Sequence, residues 1–168
     1  MKKTLFESKR LRVLERDDWQ FVERTSATEA VAVIAEVDGR VILTEQERKP
    51  VDARVIDWPA GLVGDEGTKD PAKTAKKELE EETGYTCESV EFLAKGPSSP
   101  GIVSELVSFY RAKNARKNGE GGGVGGEDIT VHEIPRDELE SWLAKKADDG
   151  VLIDLKVWGG LYFLTKST

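Results

Sequence analysis

Two runs rich in apolar, largely β-branched residues, 30–36 (AVAVIAE) and 40–45 (RVILTE), flank Asp38 and Gly39, the Asp-Gly pair that closes a tight hairpin. They predict a pair of antiparallel strands with a buried face. Residues 4–13 and 19–24 also read as short strands around the polar turn 15–18, yet most of their positions are charged or polar. Such a hairpin builds no core alone and must lie on another surface, either its own domain or a partner subunit. Further strands are expected at 89–95 and 105–112, and at Ile129 and Val131, which alternate with Thr130 and His132. A helical period appears three times. It spans 71–83, then 135–146 with Leu139, Trp142 and Leu143 on one face, then 154–165 with Leu155, Trp158, Leu161 and Tyr162 packing to close the core. Strands, an acidic helix, strands and two helices together predict an α+β fold, a mixed sheet between helices.

The helix over 71–83 carries its own boundary signals. Asp70 caps the free N–H groups, Pro71 suits the first helical position, and Gly84 suits the left-handed residue past the end. Ala72, Ala75, Leu79 and Thr83 form a narrow stripe, Glu78, Glu81 and Glu82 share the adjacent arc, and Glu80 points elsewhere. Carboxylates spaced i, i+3 and i+4 repel one another, so either they form a solvated acidic face or a cation sits among them. With no His or Cys nearby, oxygen ligands favour Mg²⁺ or Mn²⁺ over zinc, and Mg²⁺ commonly bridges carboxylates to substrate phosphates.

Gly61, Lys77, Glu78, Leu79, Glu81, Glu82, Gly84 and Tyr85 together resemble the Nudix box, which here spans 61–85. Lys77 stands where that pattern has Arg, keeping the charge but not the bidentate fork. Two extra residues precede Lys77, so the loop carboxylate of the pattern is Asp65, Glu66 or neither. Glu45, Gln46, Arg48, Pro50, Val55, Ile56, Pro59, Ala60 and Gly61 are similar to the stretch ahead of the box in the ADP-ribose pyrophosphatase branch. That resemblance implies the Nudix fold and a divalent ion, Mg²⁺ with Mn²⁺ as substitute, held by Glu78, Glu81, Glu82 and the Ala60 carbonyl. It implies Trp19 stacked on adenine, Arg24 and Arg48 on the diphosphate, and the loop of Pro100, Gly101 and Glu105 against the far ribose. Glu127 and Asp128 match an acidic cluster of the branch, which makes Glu127 the candidate general base. Glu120 is the fallback and Glu81 the next choice. Read without the family, Trp19 is a packing anchor, Arg24 and Arg48 are surface ion pairs, and Pro100–Gly101 is an ordinary turn.

The implied reaction is hydrolysis of the diphosphate linkage of a nucleoside diphosphate sugar, ADP-ribose first. The rivals are a nucleoside triphosphate pyrophosphohydrolase and a regulator that binds nucleotide sugars without turnover. Composition narrows the setting. A chain of 168 residues suits one domain, with residues 1–28 as a dimerisation arm, and a net charge of −7 argues against nucleic acid as a partner. One cysteine, Cys87, suits packing in a reducing compartment, and no run of about 18 apolar residues or signal-like start is present, so the expectation is a cytoplasmic homodimer without membrane association. The glycine-rich run 118–127 formally contains GxGxxG, but a strand follows where a helix is needed, which rejects the dinucleotide reading. It is expected to be a disordered hairpin loop or an open lid that swings Glu120 or Glu127 over the metal site. His132 is expected at the surface or an edge, with no triad partners.

Overall fold

The computed structural model describes residues 1–27, 29–64 and 67–166. Its elements in chain order are β1 (Lys3–Glu7), β2 (Leu11–Arg16), β3 (Trp19–Arg24), β4 (Glu29–Val37), β5 (Arg40–Arg48), β6 (Ala53–Asp57), β7 (Ala60–Leu62), α1 (Pro71–Thr83), β8 (Tyr85–Thr86), β9 (Ser89–Pro97), β10 (Leu106–Lys113), β11 (Arg116–Lys117), β12 (Ile129–Pro135), α2 (Leu139–Asp148), β13 (Leu152–Ile153) and α3 (Leu155–Leu164). The main sheet runs β13-β6-β5-β4-β10-β9, with β12 on β5 and β7 on β4. It is mixed, because β10 runs parallel to β4 and β13 parallel to β6.

The two central strands are buried on both faces, and their alternation sorts the core into two layers. Val31, Val33, Ala35 and Ile42 face α1 with Ala75, Leu79 and Cys87; Ala32, Ile34, Leu43, Ile56 and Trp58 face α2 and α3 with Leu143 and Val157. Helices therefore cover both faces of an α+β sheet, as expected. At Asp38 and Gly39 both φ angles are positive, 49° and 73°, the geometry that a two-residue hairpin turn demands. β4 and β5 pair only next to this turn. Beyond it they part, β4 taking β7 and β5 taking β6, and the turn 57–60 bridges the split. This opening positions the functional cleft.

Two sequence expectations are corrected. The N-terminal hairpin is three strands, because a turn at Ser8 to Arg10 divides residues 4–13 into β1 and β2. It lies against its own chain, where Val22 exchanges backbone hydrogen bonds with Ile102 and Ser104. In α3 the buried face is Val157, Gly160 and Leu164, whereas Leu155, Trp158 and Tyr162 are exposed. A helix that is apolar nearly all round has no unique inward stripe, so the packing of Gly160 against the Trp58 indole selects the rotation.

Candidate active site

α1 is capped as its sequence predicts. Asp70 accepts hydrogen bonds from the N–H groups of Ala72 and Lys73, and Gly84, at φ 72°, ends the helix by donating to the Glu80 carbonyl. Its acidic arc divides by depth. Glu82 is 5% exposed and accepts the Ala60 N–H on Oε2 at 2.9 Å, while Glu78 and Glu81 are half-buried. Burial pushes the Glu82 carboxyl up to about 8; Glu78 and Asp57 add to the shift, and the Ala60 N–H and Arg48 oppose it. Lys77 pairs with Glu81 across one helical turn at 2.8 Å. Glu78 reaches over Gly61 so closely that a Cβ there would stand 1.8 Å from Glu78 Oε1.

Among the described residues no three His, Cys, Asp or Glu side chains already converge as a ligand set. The donor chemistry nonetheless fits a hard divalent ion. One carboxylate is buried at a depth that disfavours its charge, a second shares its field, and Gly61 leaves room for that second one, Glu78. Gly61→Ala is expected to lower kcat by at least about tenfold, because a misplacement of ~1 Å at a catalytic group can remove 10²-fold. Thermal unfolding should shift little, since the displaced atoms all belong to the flexible side chain of Glu78 beyond its Cβ and not to backbone. Wild-type kcat in the variant would show that the close approach is incidental.

Glu78, Glu81 and Glu82 line a cleft of about 840 Å³ together with Ala60, Arg24, Arg48, Glu105 and Glu127. Arg24 is ion-paired to Glu105 at 2.5 Å, so both stand on the same wall. Trp19, Pro100 and Gly101 are outside the lining: Trp19 is 62% exposed and donates from Nε1 to the Gly101 carbonyl at 3.2 Å. Glu120 is exposed and also outside the lining. Asp65 and Glu66, the loop carboxylate candidates, lie outside the described residues.

The glycine-rich run is not an unattached lid. Asn118 and Gly119 donate to the Gly84 carbonyl, Gly122 to that of Glu82 and Gly123 to that of Glu81, so the run forms a collar that satisfies the last carbonyls of α1. A Cβ on Gly121 would lie 2.3 Å from the Thr83 carbonyl carbon, and one on Gly84 would lie 2.2 Å from the Gly119 oxygen. Glycine is required here by close backbone approach. The collar brings Glu127 to the cleft, where its Oε2 accepts the Val124 N–H at 3.1 Å.

Three cleft residues, Asp57, Asp154 and Lys156, escaped the sequence reading of the site. Asp57, 3% exposed, and Lys156 both line the cleft and pair at 2.9 Å, with Asp154 on the other side of the ammonium at 2.6 Å. Glu45, read from the sequence as part of the stretch ahead of the box, is 6% exposed and held by Lys146, Arg54 and His132. His132 is thus half-buried and partnered, and its ring meets Trp142 edge-on at 4.8 Å. Although burial alone would raise the Glu45 carboxyl, hydrogen bonds from Lys146, Arg54 and His132 hold it down at about 2. Its folded pKa lies below the unfolded value, so this stabilisation is complete above about pH 4.5 and is lost as pH falls toward 2. Lys146→Met is expected to destabilise the fold by about 3 kcal/mol near neutral pH, the usual effect of leaving a buried charge short of a partner, and less at pH 3. Equal losses at both pH values in urea titrations would refute the role given to Glu45.

With this geometry in place, the match to a model of the Nudix domain over residues 25–155 decides the family. The chain belongs to the Nudix family. Among curated proteins the Nudix chain is 37% identical over 119 residues to a methanol dehydrogenase activator of Bacillus methanolicus, covering 70% of this chain and 63% of that protein. It is 40% identical over 85 residues to an ADP-ribose pyrophosphatase of Bacillus subtilis (strain 168), covering 50% of this chain and 45% of that one. It is 30% identical over 157 residues to an ADP-sugar pyrophosphatase of Mus musculus, covering 83% and 70%. The matches to the two Bacillus proteins thus span about half to two thirds of those relatives. A solved structure described as an ADP compounds hydrolase superposes with a TM-score of 0.67 at 22% identity, over 86% of this chain and 80% of that one, which establishes the fold.

Proposed function

We infer that this Nudix protein hydrolyses the diphosphate linkage of nucleoside diphosphate sugars, with ADP-ribose as first candidate, giving AMP and ribose 5-phosphate. The observation that carries the reading is one cleft lined by Glu78, Glu81 and Glu82 together with Arg24 and Arg48. Two cationic side chains in one cleft with a carboxylate cluster suit a dianionic diphosphate bound with a metal ion. The names of similar proteins, which include ADP-ribose, ADP-sugar and GDP-mannose pyrophosphatases, share the nucleoside diphosphate sugar as substrate class.

A divalent ion, Mg²⁺ with Mn²⁺ as substitute, held by Glu78, Glu81, Glu82 and the Ala60 carbonyl, would neutralise phosphate charge and acidify a water. Arg48 and Arg24 grip the diphosphate. Glu105 keeps Arg24 in place through their ion pair. Glu127 takes the proton of the attacking water or orients it. Trp19 and the Pro100–Gly101 loop, joined by a hydrogen bond beyond the Arg24 wall, stack on the base and border the ribose of a substrate long enough to reach them. The test is a panel of nucleoside diphosphate sugars and nucleoside triphosphates with Mg²⁺, read by product identity. Release of AMP from ADP-ribose with triphosphates inert is expected. Turnover of triphosphates alone would replace the reading, and tight binding without turnover would make the protein a regulator.

The N-terminal sheet supports a two-fold homodimer. All of β1 is exposed, and so are Leu5, Phe6, Leu11 and Trp19, an apolar set that an isolated sheet would not leave to water. Light scattering at working concentration should give twice the chain mass, and Phe6→Glu should halve it. A monomeric wild-type chain would remove the dimer. No helix among the described residues is long and apolar enough to cross a membrane, and a cytoplasmic setting is proposed from the single buried thiol of Cys87.

A further inference from the structure

The turn 57–60 is fastened by the first turn of α3, whose Asp154 and Lys156 also line the cleft. Asp154 donates its N–H to the Ile56 carbonyl at 2.9 Å, and the Trp58 indole donates to the Lys156 carbonyl at 2.9 Å. Between these two backbone ties Lys156 Nζ bridges Asp57 Oδ2 at 2.9 Å and Asp154 Oδ2 at 2.6 Å. The other oxygen of Asp57 accepts the Trp58 N–H at 2.8 Å. Each of these bonds restrains the turn 57–60, and that turn ends at Ala60, whose N–H meets Glu82.

Burial drives Asp57 toward its neutral form, pushing the carboxyl up to about 6 against the pull of Lys156. A lysine drawn into a largely buried position between two carboxylates loses hydration that a surface lysine keeps. A latch of α3 made for stability alone is available from the backbone ties and from the Trp58 packing against Gly160. The charged bridge adds a restraint directed at the turn.

We propose that Lys156 is a positioning residue for the metal site: by tying Asp57 to Asp154 it holds the turn 57–60 at the depth where Ala60 meets Glu82. The inference rests on the metal-dependent reading above. Asp57 and Lys156 touch neither the reacting diphosphate nor the ion in this scheme; they act through Ala60 and Glu82.

Mn²⁺ binding to the full chain without substrate tests it, followed by relaxation of solvent protons, beside thermal unfolding of the same samples. Lys156→Met is expected to weaken Mn²⁺ binding by at least about tenfold, the usual effect of removing a partner that orients a ligand. Lys156→Arg, which still spans both carboxylates, should stay within about threefold of wild type. The double variant Asp57→Asn, Lys156→Met removes the deeply buried carboxylate and leaves only Asp154, which is 30% exposed, without the ammonium, so it is expected to fold where the single variant does not and should show the same tenfold loss. Wild-type Mn²⁺ affinity in the folded double variant, with only its unfolding temperature lowered, would overturn the inference and leave the proposed function intact. A wild-type chain that bound no Mn²⁺ would overturn both.

Discussion

Replacing Glu82 with Gln is expected to lower kcat by at least ~10²-fold, the loss seen when a preorganised electrostatic contact to the transition state is removed. The same replacement should stabilise the metal-free fold at alkaline pH. The Glu82 carboxyl rises on folding from its ordinary 4.5 to about 8, so between those values the unfolded chain binds fewer protons than the folded one and wild-type stability falls as pH rises. The neutral amide of the Glu82→Gln variant accepts the Ala60 N–H without that penalty. The difference in unfolding free energy between variant and wild type should therefore be smallest near pH 4.5 and grow toward pH 8, and Mg²⁺ should narrow it by stabilising only the wild type. Glu81→Gln should share the kinetic loss, since Glu81 lines the same cleft. Full activity in both variants, or in excess chelator, would end the metal mechanism.

Glu127→Gln is expected to cut kcat by about 10² to 10⁴-fold while leaving KM within a few fold, since a general base acts in the transition state and little in ground-state binding. Glu120→Gln is the control. The collar leads to the cleft at Val124 and Glu127, whereas Glu120 is exposed outside it, so the control should keep wild-type kcat. The anchoring of the collar to α1 also limits what a lid motion involves. Residues 118–123 are tied to the last turn of the helix, so any closure over a substrate would be confined to the tip at 124–128. If both variants kept wild-type kcat, the base would come from the box, with Glu81 next.

Local rules carried the sequence a long way. Asp70, Pro71 and Gly84 set the limits of α1, Asp38 and Gly39 set the hairpin between β4 and β5, and the 3.6-residue period set the acidic arc, because each depends on atoms within a few residues. The box residues added the family. What the chain could not state locally was depth and register. Glu78, Glu81 and Glu82 read alike in sequence, yet of the three only Glu82 is buried, because the turn 57–60 arrives over it. The glycines at 118–123 read as an unattached loop until α1 supplied a surface too close for any Cβ. Leu155, Trp158 and Tyr162 read as core until Gly160 and Trp58 chose the opposite rotation of α3. Glu45 stood out only by its place in the stretch ahead of the box and Asp57 not at all, and Lys146, Arg54 and Lys156, brought in by α2, β6 and α3, are what pair these buried carboxylates. Periodicity and capping are properties of a segment, whereas burial of a charge is a property of what packs across from it, and that partner is chosen by the whole fold.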